Sequence, residues 1–142
     1  MLQAIGEGMA LLEQYNRDRE SIDIPEVLSC WKHGSVIRSW LVELMERAYR
    51  EEGGLKPVPP YIEDTGEVNW LVSDAMHLEV SIPVIAQSVM QLFSSRDDDQ
   101  HWARAIAMMR HEFGGHPFGS EPGIAKERRE GRVGPFPSPR KD

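Results

Sequence analysis

The stretch SVIRSWLVELMERAYRE, Ser35 to Glu51, decides the fold class. Val36, Ile37, Trp40, Leu41, Leu44, Met45, Ala48 and Tyr49 form adjacent apolar pairs that recur every four residues. That spacing lines one face of an α-helix and fits no strand. Ser35 is of a type that caps helix N-termini, and Gly53-Gly54 supplies a stop. The pattern predicts a helix from Ser35 to about Glu51.

Working outward, the same rhythm recurs. Trp102, Ala105, Ile106, Met109 and Phe113 share a face, with Asp98 or Asp99 as the expected cap and Gly114-Gly115 as the stop. Pro83 suits the first turn of a helix reaching about Ser94, because its missing N–H has no partner there in any case. Val84, Ile85, Ala86, Val89, Met90, Leu92 and Phe93 make that helix apolar on most sides, which predicts a central position. Shorter helices are expected at Pro25 to Trp31 and Leu71 to Leu78. Lys56 to Gly66, with Pro57, Pro59 and Pro60, reads as an ordered loop. Leu2, Ile5, Met9 and Leu12 make a helical stripe with no capping residue before it, as in a chain that opens partway through a helix. No segment shows a convincing strand alternation. The expected fold is all-α, with six or so helices.

Composition bounds the rest. The 142 residues carry 16 Lys+Arg against 23 Asp+Glu, a net charge of −7, and are 40% hydrophobic. That size and content suit one domain with a real core and exclude global disorder. No run approaches the roughly 18 to 20 apolar residues of a membrane helix, and no secretory leader is recognisable. A single cysteine, Cys30, permits no internal disulfide, so the expected setting is reduced and cytoplasmic. The acidic balance argues against nucleic acid as the partner. Charge is uneven, however. Met1 to His116 holds 10 basic and 19 acidic residues, whereas Pro117 to Asp142 holds 6 and 4, with five prolines and four glycines. This divides the sequence into a body, 1–116, and a Pro/Gly-rich arm, 117–142, in which only Ile124 to Glu130 could form a short helix.

Several motifs dissolve on inspection. Gly6-Glu7-Gly8 is half a dinucleotide fingerprint, but no strand precedes it and the third glycine would fall at Leu11. His111-Glu112-Phe113-Gly114-Gly115-His116 places its histidines five apart with two glycines between, unlike the i, i+4 pair of a zinc-protease helix. No metal site is expected, and a metal-dependent hydrolase using His111, Glu112 and His116 is a distant third reading. Cys30 beside Trp31 reads as a buried, inert thiol. The Asp97-Asp98-Asp99 run lacks the ligand spacing of a calcium loop. What remains is Arg110 and His116, a permanent cation and a titratable ring bracketing a glycine helix stop. Such a pair suits an anionic, hydroxylated ligand such as a sugar phosphate or sugar acid. It also suits simple complementation of the helix dipole.

Trp31-Lys32-His33-Gly34-Ser35-Val36-Ile37-Arg38-Ser39-Trp40-Leu41 resembles the W-x-x-G-S-V-I-R-S-W-L segment of the short, bacterial type of 6-phosphogluconate dehydrogenase. In register with it, Asp64-Thr65-Gly66-Glu67 with Trp70 is similar to that family's D-S-G-E-G-R-W-T loop. Val80-Ser81-Ile82-Pro83-Val84-Ile85 resembles its V-P-A-P-V-I helix start, and Phe113-Gly114-Gly115-His116 its terminal F-G-G-H. Met1 to Leu12 resembles the latter part of its M-Q-A-x-A-E-G helix. The likeness covers nearly all of residues 1 to 116.

The resemblance implies the α-helical C-terminal domain of an enzyme that oxidises 6-phosphogluconate at C3 with NADP or NAD. Loss of CO2 then gives ribulose 5-phosphate, a step of the pentose phosphate pathway. The Lys base, the Glu acid and the nucleotide-binding domain would match sequence upstream of Met1. No catalytic residue and no cofactor-binding residue is therefore expected in this chain, which alone should turn nothing over. Arg110 and His116 match a substrate-binding pair that reaches a partner subunit's site, the Arg toward the phosphate. The implied partners are a second copy and, together with the missing domain, a sugar phosphate. Two positions depart from the pattern. The family's Gly-Arg-Trp-Thr is Val68-Asn69-Trp70-Leu71 here, and a family Arg aligns with Leu92. These departures sustain an alternative, a non-catalytic, diverged or truncated helical dimerisation module.

Overall fold

The computed structural model describes residues 1–19, 21–123, 125 and 126. Most of the arm, and all of its expected helix at Ile124 to Glu130 except Ala125 and Lys126, lies outside the described residues. The described residues hold six helices and no strand: α1 (Leu2–Asp18), α2 (Ile24–Gly34), α3 (Trp40–Glu52), α4 (Glu67–His77), α5 (Pro83–Ser94) and α6 (His101–Gly114). The fold is all-α. It falls into two compact units, one ending at Asp97 and the other beginning at Asp98.

In the first unit, α1 begins with no side-chain cap, and its apolar stripe supplies the reason it forms. Met9 is buried against Ile24 and Leu28 of α2, with Ile5, Leu12, Ile22, Trp31, Met45, Tyr49 and Leu55 packed around them. Asp23 caps α2 by accepting the Glu26 amide at 3.1 Å, and Pro25 occupies its first turn. α2 packs on α3, where Val42 is fully buried. The Tyr49 hydroxyl donates to Glu13 Oε1 at 2.8 Å and so ties α3 to α1. Burial, with that carboxylate beside it, pushes the phenol up to about 12. α4 packs on α5 and the pair buries Ala75 and Val89.

The α2–α3 crossing also holds a charge, Glu46, the buried ionisable residue among those described. Its Oε2 accepts Lys32 Nζ from α2 at 2.8 Å, and its Oε1 accepts Arg50 Nε, one turn on, at 2.7 Å. Arg50 reaches back to Glu26 of α2 at 3.1 Å. Both carboxylate oxygens are thus satisfied, as a buried anion requires. Hydrogen bonds from Lys32 and then Arg50 hold the carboxyl below its usual range.

Four expectations need correction. Ser35 does not start α3: it terminates α2, its hydroxyl donating to the Trp31 carbonyl at 2.7 Å. Ser39, four residues on, is the cap, accepting the Val42 amide at 3.3 Å. Neither Asp98 nor Asp99 caps α6, because Gln100 takes that place in a left-handed conformation, φ 48°. α5 is not central. Val89 is its buried residue and Val84 is 77% exposed. Cys30 is exposed, not buried. No helix among the described residues is long and apolar enough to cross a membrane.

The ion network yields a pH signature. A carboxyl depressed in the folded state contributes stability that is complete above its ordinary value of 4.5 and is lost as pH falls through the lowered one. Glu46→Gln is expected to unfold at lower denaturant than the natural chain at neutral pH. The gap between the two should narrow below about pH 4.5, read as urea midpoints against pH.

Candidate functional site

The sequence singles out Arg110 and His116, and both lie in the second unit, where α6 ends. Gly114 is the last helical residue, and Gly115 follows at φ 63°. That left-handed conformation suits glycine and lets the Gly115 amide donate to the His111 carbonyl at 2.8 Å. The chain then doubles back, laying the His116 ring on Gly114. A Cβ built on Gly114 would come within 2.8 Å of His116 Cδ2 and 2.9 Å of Nε2. The ring therefore occupies the space into which a residue-114 side chain would project. Arg110 is one turn earlier on the same helix face, since residues four apart stack. The Arg110 Cβ and the His116 ring consequently lie on one side of the helix end, with Arg110 exposed and His116 half-buried. Among the described residues Arg110 has no ion-pair partner. Phe113 meets the His116 ring edge-on, centroids 6.4 Å apart.

Such an arrangement can do defined chemistry. An unpaired guanidinium offers two parallel N–H donors to a phosphate or carboxylate, and the imidazole offers a donor or an acceptor to a hydroxyl. Neither group is a nucleophile poised beside a base. The pair can bind and orient an anionic, hydroxylated ligand.

Other motif residues fall elsewhere. Gly6 and Gly8 are interior to α1, not at a strand-to-helix turn, so the residues present do not fit a dinucleotide's phosphates. His33 and His77 each donate Nδ1–H to the carbonyl four residues back, at 2.8 and 2.7 Å. Among the described residues no three His, Cys, Asp or Glu side chains cluster as a metal site would require.

A second feature, in the first unit, escaped sequence reasoning. Arg96, just past α5, grips the loop before α4 through Asp64 at 2.8 Å and Glu63 at 3.2 Å, with its guanidinium over Phe93. The neighbouring Ser95 hydroxyl accepts the Ile62 amide at 3.2 Å. This fixes Asp64-Thr65-Gly66-Glu67, where Thr65 donates to the Glu67 carboxylate. Asn69, in the first turn of α4, keeps a buried Oδ1 with no hydrogen-bond partner. Leu92 is half-buried. A separation of some thirty residues between Arg96 and its partners leaves no local signal.

Comparison with known proteins adds a family to this geometry. The family model described as 6-phosphogluconate dehydrogenase, C-terminal domain, matches residues 1–120. A Bacillus subtilis (strain 168) protein provisionally named 6-phosphogluconate dehydrogenase YqeC is 41% identical over 116 residues, 82% of this chain and 38% of the relative. A Haloferax volcanii protein named 6-phosphogluconate dehydrogenase, NAD(+)-dependent, decarboxylating, is 40% identical over 117 residues, with the same two shares. The chain thus spans 38% of the length of these curated relatives.

The Gly114 contact is directly testable. Gly114→Ala should leave α6 intact, since alanine is the better helix former by about 1 kcal/mol, yet displace the His116 ring. The expected outcome is an unchanged far-ultraviolet circular dichroism spectrum with a shifted pair of His116 ring resonances.

Proposed function

The chain belongs to the 6-phosphogluconate dehydrogenase family, whose C-terminal domain it carries, and from that premise we propose that it is the substrate-covering and pairing part of such an oxidoreductase. In this reading the complete enzyme decarboxylates 6-phosphogluconate oxidatively to ribulose 5-phosphate, using NADP or NAD held by an upstream domain. In this reading residues 1–116 are the pairing and substrate-covering body. The single observation that carries the proposal is Arg110 and His116 sharing one side of the α6 terminus, the cation unpaired among the described residues. Arg110 takes the phosphate and His116 a substrate hydroxyl. The chain alone turns nothing over, because no group in it can take the hydride.

Uncovered apolar side chains support pairing with a second copy. Trp40, Trp70 and Trp102 are 62%, 66% and 61% exposed, and Phe113 is 75% exposed. Surface of that kind marks an interface, and a two-fold dimer is the simplest closed assembly that hides it. The expected locale is the reducing cytoplasm, where exposed Cys30 stays a thiol.

A second reading, a non-catalytic helical dimerisation module, draws on Leu92 and on Asn69 with its unsatisfied Oδ1. Binding discriminates the two. With a dinucleotide-binding half supplied as a separate chain, 6-phosphogluconate should bind, and Arg110→Ala should weaken it by roughly 10- to 100-fold, the worth of a charge-assisted hydrogen bond. No binding even then supports the module. Robust NADP reduction by the isolated chain overturns the first reading.

Sedimentation tests the pairing: the expected species at micromolar concentration is a dimer, and a monodisperse monomer at high concentration contradicts it.

A further inference from the structure

The His111 ring lies outside the proposed Arg110–His116 binding pair, yet it makes the contact that closes the turn. Its Nδ1 lies 2.8 Å from the carbonyl oxygen of His116. A carbonyl can only accept, so Nδ1 must carry the proton. His33 and His77, also on helices, donate backward to the carbonyl four residues earlier. His111 instead reaches forward, past the helix end. Its ring stacks on Phe118, centroids 4.5 Å apart and planes at 25°. The His111 carbonyl meanwhile accepts the Gly115 amide at 2.8 Å. One residue thus holds the turn at both ends, Gly115 through its backbone and His116 through its ring.

We propose that His111 is the positioning residue of the candidate site: its Nδ1–H clamps the His116 carbonyl and thereby keeps the His116 ring seated on Gly114, on Arg110's side of the helix. This rests on the reading of Arg110 and His116 as a substrate-binding pair. The clamp matters because residues 115–118 contain no regular helix to hold them. Without a tie, His116 would sample many rotamers and backbone states, and a ligand would bear the cost of selecting one. The ligand is of the phosphorylated, polyhydroxylated class already proposed, and His111 touches none of it. An Nδ1–H donor and a flat ring are separable properties, and two substitutions isolate them. Asparagine carries an amide N–H close to where Nδ1 sits but has no ring. Phenylalanine keeps the stack on Phe118 and loses the donor.

Long-range 1H–15N spectra of the full chain are expected to show the His111 proton on Nδ1 in the neutral ring. His111→Phe should release the His116 ring resonances toward free-histidine positions, whereas His111→Asn should keep them. With a dinucleotide-binding half added, 6-phosphogluconate affinity should fall roughly fivefold in His111→Phe, the scale of one exposed hydrogen bond, and be largely rescued in His111→Asn. A proton on Nε2, or a His111→Phe chain that binds as the natural one does while Arg110→Ala does not, overturns the positioning role and leaves the site's reading standing. A natural chain that binds no 6-phosphogluconate, with the Nδ1 proton in place, overturns that reading and with it the ligand half of this inference.

Discussion

A helix survives in water only when something covers its apolar stripe, since helices of 11 to 17 residues are marginal on their own. Six apolar residues are buried among those described: Met9, Ile24, Leu28, Val42, Ala75 and Val89. Four of them, Met9, Ile24, Leu28 and Val42, belong to α1–α3, so that cluster alone has a core of its own. α4 and α5 bury one each, and α6 buries none. This inequality governs the molecule. The apolar residues of α4 to α6 are too regular in spacing to be accidental and too exposed to be satisfied, and the proposed second copy answers that constraint.

Where apolar cover runs short, polar ties fix the geometry. Glu46 locks the α2–α3 crossing through two cations, and its near-complete burial makes each partner necessary, because removing one strands a charge. Arg96 does the corresponding work for the loop before α4, with Asp64 and Glu63 on its fork and Phe93 beneath. The two ties differ in consequence. The first stabilises a scaffold. The second holds in shape the loop that leads into α4.

Helix existence was legible because periodicity survives any tertiary context: α1, α3, α5 and α6 all follow from apolar spacing. Boundaries were not. Ser35 and Ser39 are chemically identical candidates four residues apart, and the choice depends on α2 running on to Gly34, where Ser35 bonds back to Trp31. Asp99 is a good cap by type, but its backbone carbonyl binds Arg104 and Gln100 turns left-handed, so the cap position moves on. The apolar girdle of α5 was visible, while its meaning was inverted: uniform apolarity marks a helix that needs cover from all sides, and one chain supplies it along Val89. The site was half legible. Residue type and a glycine stop identify Arg110 and His116, whereas the forward reach of His111 exists only once the turn is folded.

The turn also explains why two successive glycines stand at the end of α6, for reasons that differ. Gly115 is needed for its backbone, since φ 63° strains any residue with a Cβ. Gly114 has an ordinary helical backbone and is needed for its emptiness, because the His116 ring fills the space a side chain would take. A substitution at the first thus attacks the path of the chain, and one at the second attacks the seat of a single ring. Spacing alone cannot separate these roles, since both glycines look like one helix terminator. Geometry separates them, and it makes Gly114 the residue that puts His116 on the same side as Arg110: without that vacancy the imidazole would have to lie off the helix face, and the cation one turn below would face solvent by itself.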